Sequence, residues 1–161
     1  MGVEIERKFL VRSDAWRSEV VRSARLRQGY LCSQSGRTVR VRVAGEAAFL
    51  TIKGPADAAG VSRSEWEYAI PVVDALHMLD TLCERPQIEK VRHEVRAAGG
   101  TLKWEVDEFL GDNAPLMLAE IELPSVDSPF ARPAWLGAEV SADPRYRNSH
   151  LAGHPFATWG E

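Results

Sequence analysis

The chain has 161 residues, of which 45% are hydrophobic and 27% are charged, and its formal net charge at pH 7 is −3. This length fits one domain with a sizeable core, spanning residues 1–161. The slight acidic excess argues against a nucleic-acid-binding protein, which usually carries a basic surplus. No apolar run approaches the length of a membrane span, and Glu4 and Glu6 interrupt the start, where a signal peptide would need an apolar segment.

The two cysteines and four histidines carry no recognisable metal-binding or redox motif. Cys32 and Cys83 form no CxxC pair, and isolated cysteines of this kind are typical of buried free thiols in a reducing compartment. The histidines show no metal-ligand spacing and are interpreted as surface or packing residues. We therefore expect a cytoplasmic protein whose cysteines are reduced.

Alternation of polar and apolar side chains with period two predicts strands along most of the chain. In the first strand, Glu4, Glu6 and Lys8 share one face, while three of the four residues on the other face are apolar or aromatic. The same division recurs in almost every later strand. The eight predicted strands cover residues 2–11, 25–32, 37–43, 47–53, 62–70, 88–96, about 102–107 and 116–123.

Helical signals are fewer than strand signals. Apolar residues spaced three to four apart predict one well-marked helix over 73–83. Shorter helical turns are expected after Ser13, around 128–135 and around 143–148. Because most connections between the strands are short, including a tight hairpin at Gly45-Glu46, we predict a meandering antiparallel sheet.

Charged side chains concentrate on one face of the predicted strands. Like charges two apart on a strand repel modestly, so an exposed face gains nothing from pairs such as Arg40 and Arg42. Closing eight strands into a barrel would bring these faces into one lumen and leave the apolar faces outside, partly covered by helices. An outward-facing charged surface fits the pattern equally well. The faces carry nine acidic residues (Glu4, Glu6, Glu65, Glu67, Glu94, Glu105, Asp107, Glu120, Glu122) and nine basic ones (Lys8, Arg40, Arg42, Lys53, Arg63, Lys90, Arg92, Arg96, Lys103).

A lumen with both signs of charge would favour one kind of ligand. Converging lysines and arginines match the oxygens of a polyphosphate. Carboxylates in the same space need a cation between themselves and that anion, and oxygen-rich sites favour Mg²⁺ or Mn²⁺. The lumen arrangement therefore predicts a metal–polyphosphate complex, and charge neutralisation with positioning is most of what phosphoryl transfer requires.

The order of the charged motifs resembles that of CYTH-domain proteins, the triphosphate tunnel metalloenzymes. The motifs run from Glu4-x-Glu6-x-Lys8 to Glu120-x-Glu122, and residues 143–149 are similar to the C-terminal segment of short bacterial members. The resemblance implies a mainly β (α+β) fold: an eight-stranded antiparallel barrel tunnel with a few short covering helices and a C-terminal plug helix. The motifs in between are Arg40-x-Arg42, Thr51-Ile52-Lys53-Gly54, Arg63-x-Glu65-x-Glu67, Lys90-x-Arg92 and Glu105-x-Asp107.

The resemblance also implies a role for individual residues. Glu4, Glu6 and Glu122 would hold a first divalent metal, while Asp107 and Glu120 would hold or orient a second, with Mg²⁺ or Mn²⁺ as the ion. Lys8, Glu65 and Glu67 would be catalytic, the two glutamates positioning water and basic groups. Arg145 would close the tunnel end. The phosphates would be bound by Lys8, Arg40, Arg42, Lys53, Lys90 and Arg92.

The implied activity is metal-dependent hydrolysis of a triphosphate, above all inorganic tripolyphosphate to pyrophosphate and phosphate. Thiamine or nucleoside triphosphates are alternative substrates, and class IV adenylate cyclases share the tunnel, although their opening pattern is absent here. A polyphosphate-binding module without activity is the alternative of a different class. The expected partner is the triphosphate, with no nucleic-acid polymer and no membrane, and a homodimer is left open.

Overall fold

In the computed structural model, which describes residues 2–160, nearly all regular structure is strand. The helices are α1 (Val72–Thr81) and α2 (Asn148–Gly153), and 3₁₀ turns occupy Ala15–Glu19, Gly111–Asn113, Pro144–Tyr146 and Phe156–Thr158. No helix within these residues is long and apolar enough to cross a membrane. The strands are β1 (Gly2–Val11), β2 (Val20–Gln34), β3 (Arg37–Ala44), β4 (Ala47–Lys53), β5 (Ser62–Ile70), β6 (Ile88–Arg96), β7 (Lys103–Phe109), β8 (Met117–Glu122) and β9 (Leu136–Glu139).

Pairing between β1 and β5 closes the sheet into a barrel. Neighbouring strands follow the order β5-β4-β3-β2-β6-β7-β8-β1, and β1 meets β5 again with Glu4 opposite Arg63. β9 pairs with β1 outside this ring. Over residues 2–160 the predicted eight-stranded antiparallel barrel is confirmed, with one added strand that the sequence did not predict.

Strand boundaries agree with the predicted ones to within two residues, except in β2. This strand runs from Val20 to Gln34, whereas residues 25–32 were predicted. Its first residues pair with β6, from Val20 opposite Val95 to Ala24 opposite Arg92. A partner distant in the sequence, rather than local alternation, keeps this end of β2 extended.

The predicted helical turn around 128–135 is wrong, because this segment follows an irregular path held by aromatic packing. Phe130 and Trp135 pack edge-on against Trp104, with ring centroids 5.8 and 5.6 Å from it. Leu136 then begins β9, opposite Val11 of β1. The segment thereby covers one apolar outer face of the barrel.

Helix α1 covers a second outer face. Ala75 and Leu79 are fully buried and cluster with Val41 of β3. Gly29 lies beneath the helix, where an added Cβ would come within 3.0 Å of the Cβ of Cys83. Contacts this short are rare between real side chains, so any side chain at this position would force its neighbours to shift by a few tenths of an ångström.

The C-terminal segment, residues 143–159, covers one end of the barrel as the predicted plug would, and we call it the plug segment. Leu151 of α2 is fully buried in a cluster with Tyr30, Ile88 and Phe109, whose side chains come from three barrel strands. Trp159 packs edge-on against a tyrosine of the same segment, Tyr146, with ring centroids 5.2 Å apart. One mouth of the barrel is therefore occupied by apolar packing, while charged residues line the space further in.

Candidate functional site

The inward-facing side chains line a cavity of about 260 Å³ within the barrel. Thirteen of the eighteen lining residues are charged, so the charged faces point into the lumen and the alternative of an outward-facing surface is excluded. Among the lining residues only Tyr30 carries a large apolar surface. The lining consists of Glu4, Glu6, Lys8, Tyr30, Thr38, Arg40, Arg42, Thr51, Lys53, Arg63, Glu65, Glu67, Arg92, Glu105, Glu120, Glu122, Asn148 and Ser149.

Five of the charged residues predicted for this face do not line the cavity, and three of them lie away from it along the barrel. Glu94, Arg96 and Lys103 lie where β6 and β7 run toward their connecting turn. The carboxylate of Glu94 accepts hydrogen bonds from Lys103 Nζ and from Arg22 Nη2, both at 3.1 Å. Period-two alternation assigns a face but does not show where along a strand the lumen ends.

Four glutamates of β1 and β8, which we call the acidic wall, form one side of the cavity: Glu4, Glu6, Glu120 and Glu122. The strand register brings them together, since Glu6 lies opposite Glu122 and Lys8 lies opposite Glu120. Burial, together with the charges of Glu120 and Glu4, raises the pKa of Glu6 well above its ordinary value. Burial and Glu4 also raise the pKa of Glu122. Against the effect of burial, Lys53 lowers the pKa of Glu4. Lys8 with Arg92 likewise lowers the pKa of Glu120. The uncompensated negative charge of the wall is therefore centred on Glu6 and Glu122.

Lys53 of β4 links the acidic wall to β5. Its Nζ lies 2.8 Å from Glu4 Oε1 and 3.4 Å from Glu65 Oε2. Burial raises the pKa of Glu65, and the charge of Glu4 adds to this effect. A second cation, Arg63, approaches Glu4 Oε1 to 3.7 Å. Lys53 therefore lies among carboxylates at a place where a phosphate or a metal ion would compete for the same partners.

Three arginines of β3 and β6 also line the cavity, and we call them the basic wall: Arg40, Arg42 and Arg92. Arg92 lies beside the acidic wall, with its Nη2 3.8 Å from Glu120 Oε2. Burial lowers the pKa of Arg42 to about 9, with contributions from the charges of Arg40 and Arg92. Arg42 Nε donates to Gln28 Oε1 at 2.7 Å. Arg40 Nη2 donates to Thr51 Oγ1 at 3.2 Å, and that hydroxyl donates to Glu67 Oε2 at 3.0 Å. Neutral partners thus hold two of the guanidinium groups in place.

Lys90 and Asp107, both predicted as site residues, lie behind the cavity wall. Neither belongs to the lining, and both are fully buried. Asp107 accepts from Arg92 through both carboxylate oxygens, at 2.7 and 2.8 Å, and from Lys90 Nζ at 2.6 Å. Burial lowers the pKa of Lys90 to about 7, although Asp107 opposes this shift. This geometry orients Arg92 rather than presenting Lys90 or Asp107 to a ligand.

The plug segment contacts the site through the backbone carbonyl of Tyr146 and the side-chain amide of Asn148. Tyr146 O accepts from Lys8 Nζ at 3.1 Å. Asn148 Oδ1 accepts from Lys90 Nζ at 2.7 Å and from Gln28 Nε2 at 3.1 Å. The side chain predicted to close the tunnel, Arg145, lies outside it: it is 58% exposed and pairs with Asp143 at 2.7 Å.

Sequence reasoning missed the neutral lining residues, because it followed charge. Thr38 shares its strand face with Arg40, and Thr51 shares its face with Lys53, so period-two alternation alone could have found both. Tyr30 could be placed on the face of Gln28 in the same way. Asn148 and Ser149 carry no such signal, since they enter the cavity from the plug rather than from a strand.

The carboxylates of the acidic wall fit a hard divalent cation in chemical type. Within residues 2–160, no three acidic, histidine or cysteine side chains converge closely enough to complete an ion site by themselves. Mg²⁺ is usually held by one or two carboxylates together with water and the phosphate oxygens of its substrate. The donor set therefore fits a metal that arrives with, or is completed by, a phosphate ligand.

The fold and site define a class: closed antiparallel barrels whose lumen combines a carboxylate wall with an arginine wall. The family model described as CYTH domain matches residues 2–150. The chain therefore belongs to the CYTH family, as its charged motifs indicated.

Two similar proteins carry the same name. The inorganic triphosphatase of Acetivibrio thermocellus is 47% identical over 161 residues, covering all of both chains. The inorganic triphosphatase of Nitrosomonas europaea is 39% identical over 152 residues, covering 92% of this chain and 96% of that protein. A crystal structure of an inorganic triphosphatase, 36% identical, aligns with a TM-score of 0.65 over 92% of this chain and 97% of that one.

We predict that Glu6→Gln stabilises the metal-free protein at neutral and higher pH. Because the folded-state pKa of Glu6 lies above its ordinary value of 4.5, wild-type stability falls as pH rises through that folded pKa. A neutral amide of the same size removes this loss. Urea unfolding in EDTA at about pH 5 and about pH 8 measures the difference.

The control for this experiment is Glu46→Gln, on the exposed turn between β3 and β4. This variant should keep the pH dependence of the wild type. If Glu6→Gln were less stable than the wild type near pH 8, with unchanged pH dependence, the charge repulsion assigned to the acidic wall would be refuted.

Proposed function

We propose that this protein hydrolyses inorganic triphosphate to pyrophosphate and phosphate, with a divalent metal ion. The observation that carries the proposal is the lumen, where a carboxylate wall and an arginine wall line a cavity almost without apolar surface. Such a lining suits a substrate made of phosphates alone better than one that carries a base or a thiamine ring. The name shared by relatives that match nearly the full chain supports the same substrate.

We propose Mg²⁺ or Mn²⁺ as the ion, held between the acidic wall and the substrate. Glu4, Glu6 and Glu122 are the proposed ligands of a first ion, and Glu120 of a second. When bound, the metal neutralises phosphate charge and lowers the pKa of a coordinated water. Asp107 was expected to hold or orient this second ion together with Glu120. Its bonds to Arg92 and Lys90 support the role of positioning those bases instead.

The basic residues are proposed to bind the phosphate chain. Arg40, Arg42 and Arg92 would donate to its oxygens from the basic wall, with their neutral partners fixing their direction. Lys53 would exchange its contact with Glu4 for a phosphate oxygen. Lys8, held by the plug at Tyr146 O, would contact the chain beside Glu120. Such preorganised charges stabilise the charge that develops on the phosphoryl group.

Glu65 and Glu67 are the proposed water-positioning residues. Both line the cavity on β5, and Thr51 orients Glu67 by a hydrogen bond. In hydrolysis the water oxygen bonds to a terminal phosphorus, the bond from that phosphorus to the bridging oxygen breaks, and one water proton is released. A carboxylate whose pKa is raised by burial, as in Glu65, is suited to accept this proton.

Other features of the protein also remain proposals. We propose that residues 1–161 act as one CYTH domain whose partner is the triphosphate, without a nucleic-acid polymer or a membrane. A cytoplasmic location is proposed because both Cys32 and Cys83 are free thiols. A homodimer is a further proposal, which a sedimentation measurement would test.

A panel of substrates tests the proposed activity. Phosphate release should be fastest from tripolyphosphate, slower from ATP and thiamine triphosphate, and absent without Mg²⁺ or Mn²⁺. Glu122→Gln should remove most of the release, because it loses an anionic ligand without losing volume. Glu89→Gln, on the outer face of β6, should retain wild-type rates.

The panel also separates the alternatives. Preferred hydrolysis of ATP or thiamine triphosphate would replace the proposed substrate, while binding without release would favour a polyphosphate-binding module. A wild-type rate in Glu122→Gln would remove β8 from the proposed metal site.

We predict that Arg40→Ala lowers kcat/KM for tripolyphosphate about ten- to hundredfold, the value of one charge-assisted contact to phosphate. The matched variant is Arg25→Ala, whose guanidinium is exposed on the outer face and pairs with Glu89. It should remain near the wild-type value. Steady-state kinetics with saturating metal measures both variants, and equal rates in both would contradict phosphate binding by the basic wall.

A further inference from the structure

A second cavity, which we call the side pocket, adjoins the lumen and also measures about 260 Å³. The turn between β2 and β3 and the plug segment supply most of its walls, and residues of the β4–β5 connection with Arg63 of β5 supply the rest. It shares Thr38, Arg63 and Ser149 with the lining of the main cavity. The two spaces are therefore neighbours separated by these side chains.

The side pocket differs from the main cavity in the sign of its charge. Three arginines and two histidines contribute to it: Arg37, Arg63, Arg147, His150 and His154. None of its lining residues, all within 2–160, is aspartate or glutamate, whereas seven glutamates line the main cavity. A wall of bases without carboxylates attracts an anion directly, without the intervening cation that the main cavity needs.

Arg147 is the residue of the side pocket whose positive charge is least compensated, so it is the strongest candidate to bind an anion. Within the described chain Arg147 forms no salt bridge, whereas Arg63 pairs with Glu4 at 3.7 Å. Both arginines also border a smaller cavity, of about 20 Å³, which Glu4, Glu6 and Asp143 line. Burial lowers the pKa of Arg147, and the charge of Arg63 lowers it further. Two arginines directed toward one space repel each other, and a bound oxyanion would convert that repulsion into attraction for both.

The remaining donors of the pocket suit an oxyanion as well. Arg37 begins β3, and among residues 2–160 its guanidinium donates only to the neutral side chain of Gln34, at 2.7 Å. His150 and His154 stack with ring centroids 4.5 Å apart, and Ser149 adds a hydroxyl between the pocket and the lumen. Several donors thus converge from two different segments of the chain.

We propose that the side pocket is a second oxyanion site, which binds a phosphate group without metal. Two sources present this chemistry: free orthophosphate, and the end of a phosphate chain that extends past the main cavity. Binding in this pocket does not require hydrolysis, so the proposal stands or falls separately from the proposed function.

Calorimetric titration of the full chain in EDTA with orthophosphate, and separately with linear tetraphosphate, tests the proposal. At least one of the two should bind, and Arg147→Ala should weaken that binding about tenfold or more. Arg147→Lys, which keeps the charge, should restore part of the affinity. Arg22→Ala, which removes an exposed arginine paired with Glu94, should change it by less than about twofold.

A variant of the main cavity completes the test. If the phosphate occupies the side pocket, Arg92→Ala retains metal-free orthophosphate binding while Arg147→Ala loses it. An effect of Arg147→Ala on orthophosphate identifies free phosphate as the occupant, and an effect on tetraphosphate alone identifies a chain end. Absence of binding by both anions in EDTA, or equal affinity in Arg147→Ala and the wild type, would overturn the proposal. Thermal unfolding of each variant confirms that it is folded.

Discussion

Enclosing charges of both signs in one narrow lumen is the constraint on which the rest of this structure depends. Removing a charge from water is costly unless partners compensate it, so the position of every inward-facing side chain matters. The strand register supplies these partners, for example Lys8 beside Glu120 and Arg92 beside Asp107. Because the polar faces point inward, the apolar faces point outward and must be covered. Helix α1, the aromatic segment around Trp135 and the plug all serve this requirement.

Some charges in the lumen are not fully compensated by partners, and these charges determine what the site can bind. Carboxylates repel one another around Glu6, and guanidinium groups repel one another around Arg42. A metal ion alone would relieve the first cluster, and a polyphosphate alone would relieve the second. A complex of the two relieves both, and in a poorly solvated space its interactions are stronger than at the surface. The network of Lys90, Asp107 and Arg92 keeps one base oriented before the ligand arrives.

Much of the fold was predictable because the alternation in this sequence is strong and repeated. Strands such as β1 and β3 carry charged residues two apart, Glu4, Glu6 and Lys8 in the first and Arg40 and Arg42 in the second, so their boundaries and inner faces follow from local pattern. The failures have a common physical cause, which is dependence on distant partners. Pairing with β6 extends the start of β2, and β9 forms because part of one edge of β1 is available for pairing. Phe130 packs against Trp104, and this contact fixes its segment in an irregular path rather than a helix.

The sequence predicted which strand faces line the site, but it did not predict how deeply each side chain is buried. Spacing placed Lys90 and Asp107 on the inner face, but it could not show that both lie behind Arg92. The plug was the hardest part, because its irregular backbone gives no period. It exposes Arg145 and directs Arg147 toward the side pocket, an assignment that only the three-dimensional path of the chain reveals.

The melting temperature of the protein with Mg²⁺ and tripolyphosphate tests the central claim most directly, because it reports occupancy of the lumen without depending on turnover. At a hundredfold excess over Kd, a ligand that binds only the folded state adds about 2.7 kcal/mol. Glu65→Gln, which retains the phosphate-binding bases, can replace the wild type if hydrolysis depletes the ligand. We expect metal and tripolyphosphate together to raise the melting temperature by more than the sum of their separate effects. An equal rise in a variant with Lys8, Arg40 and Arg92 all replaced by alanine would contradict the account.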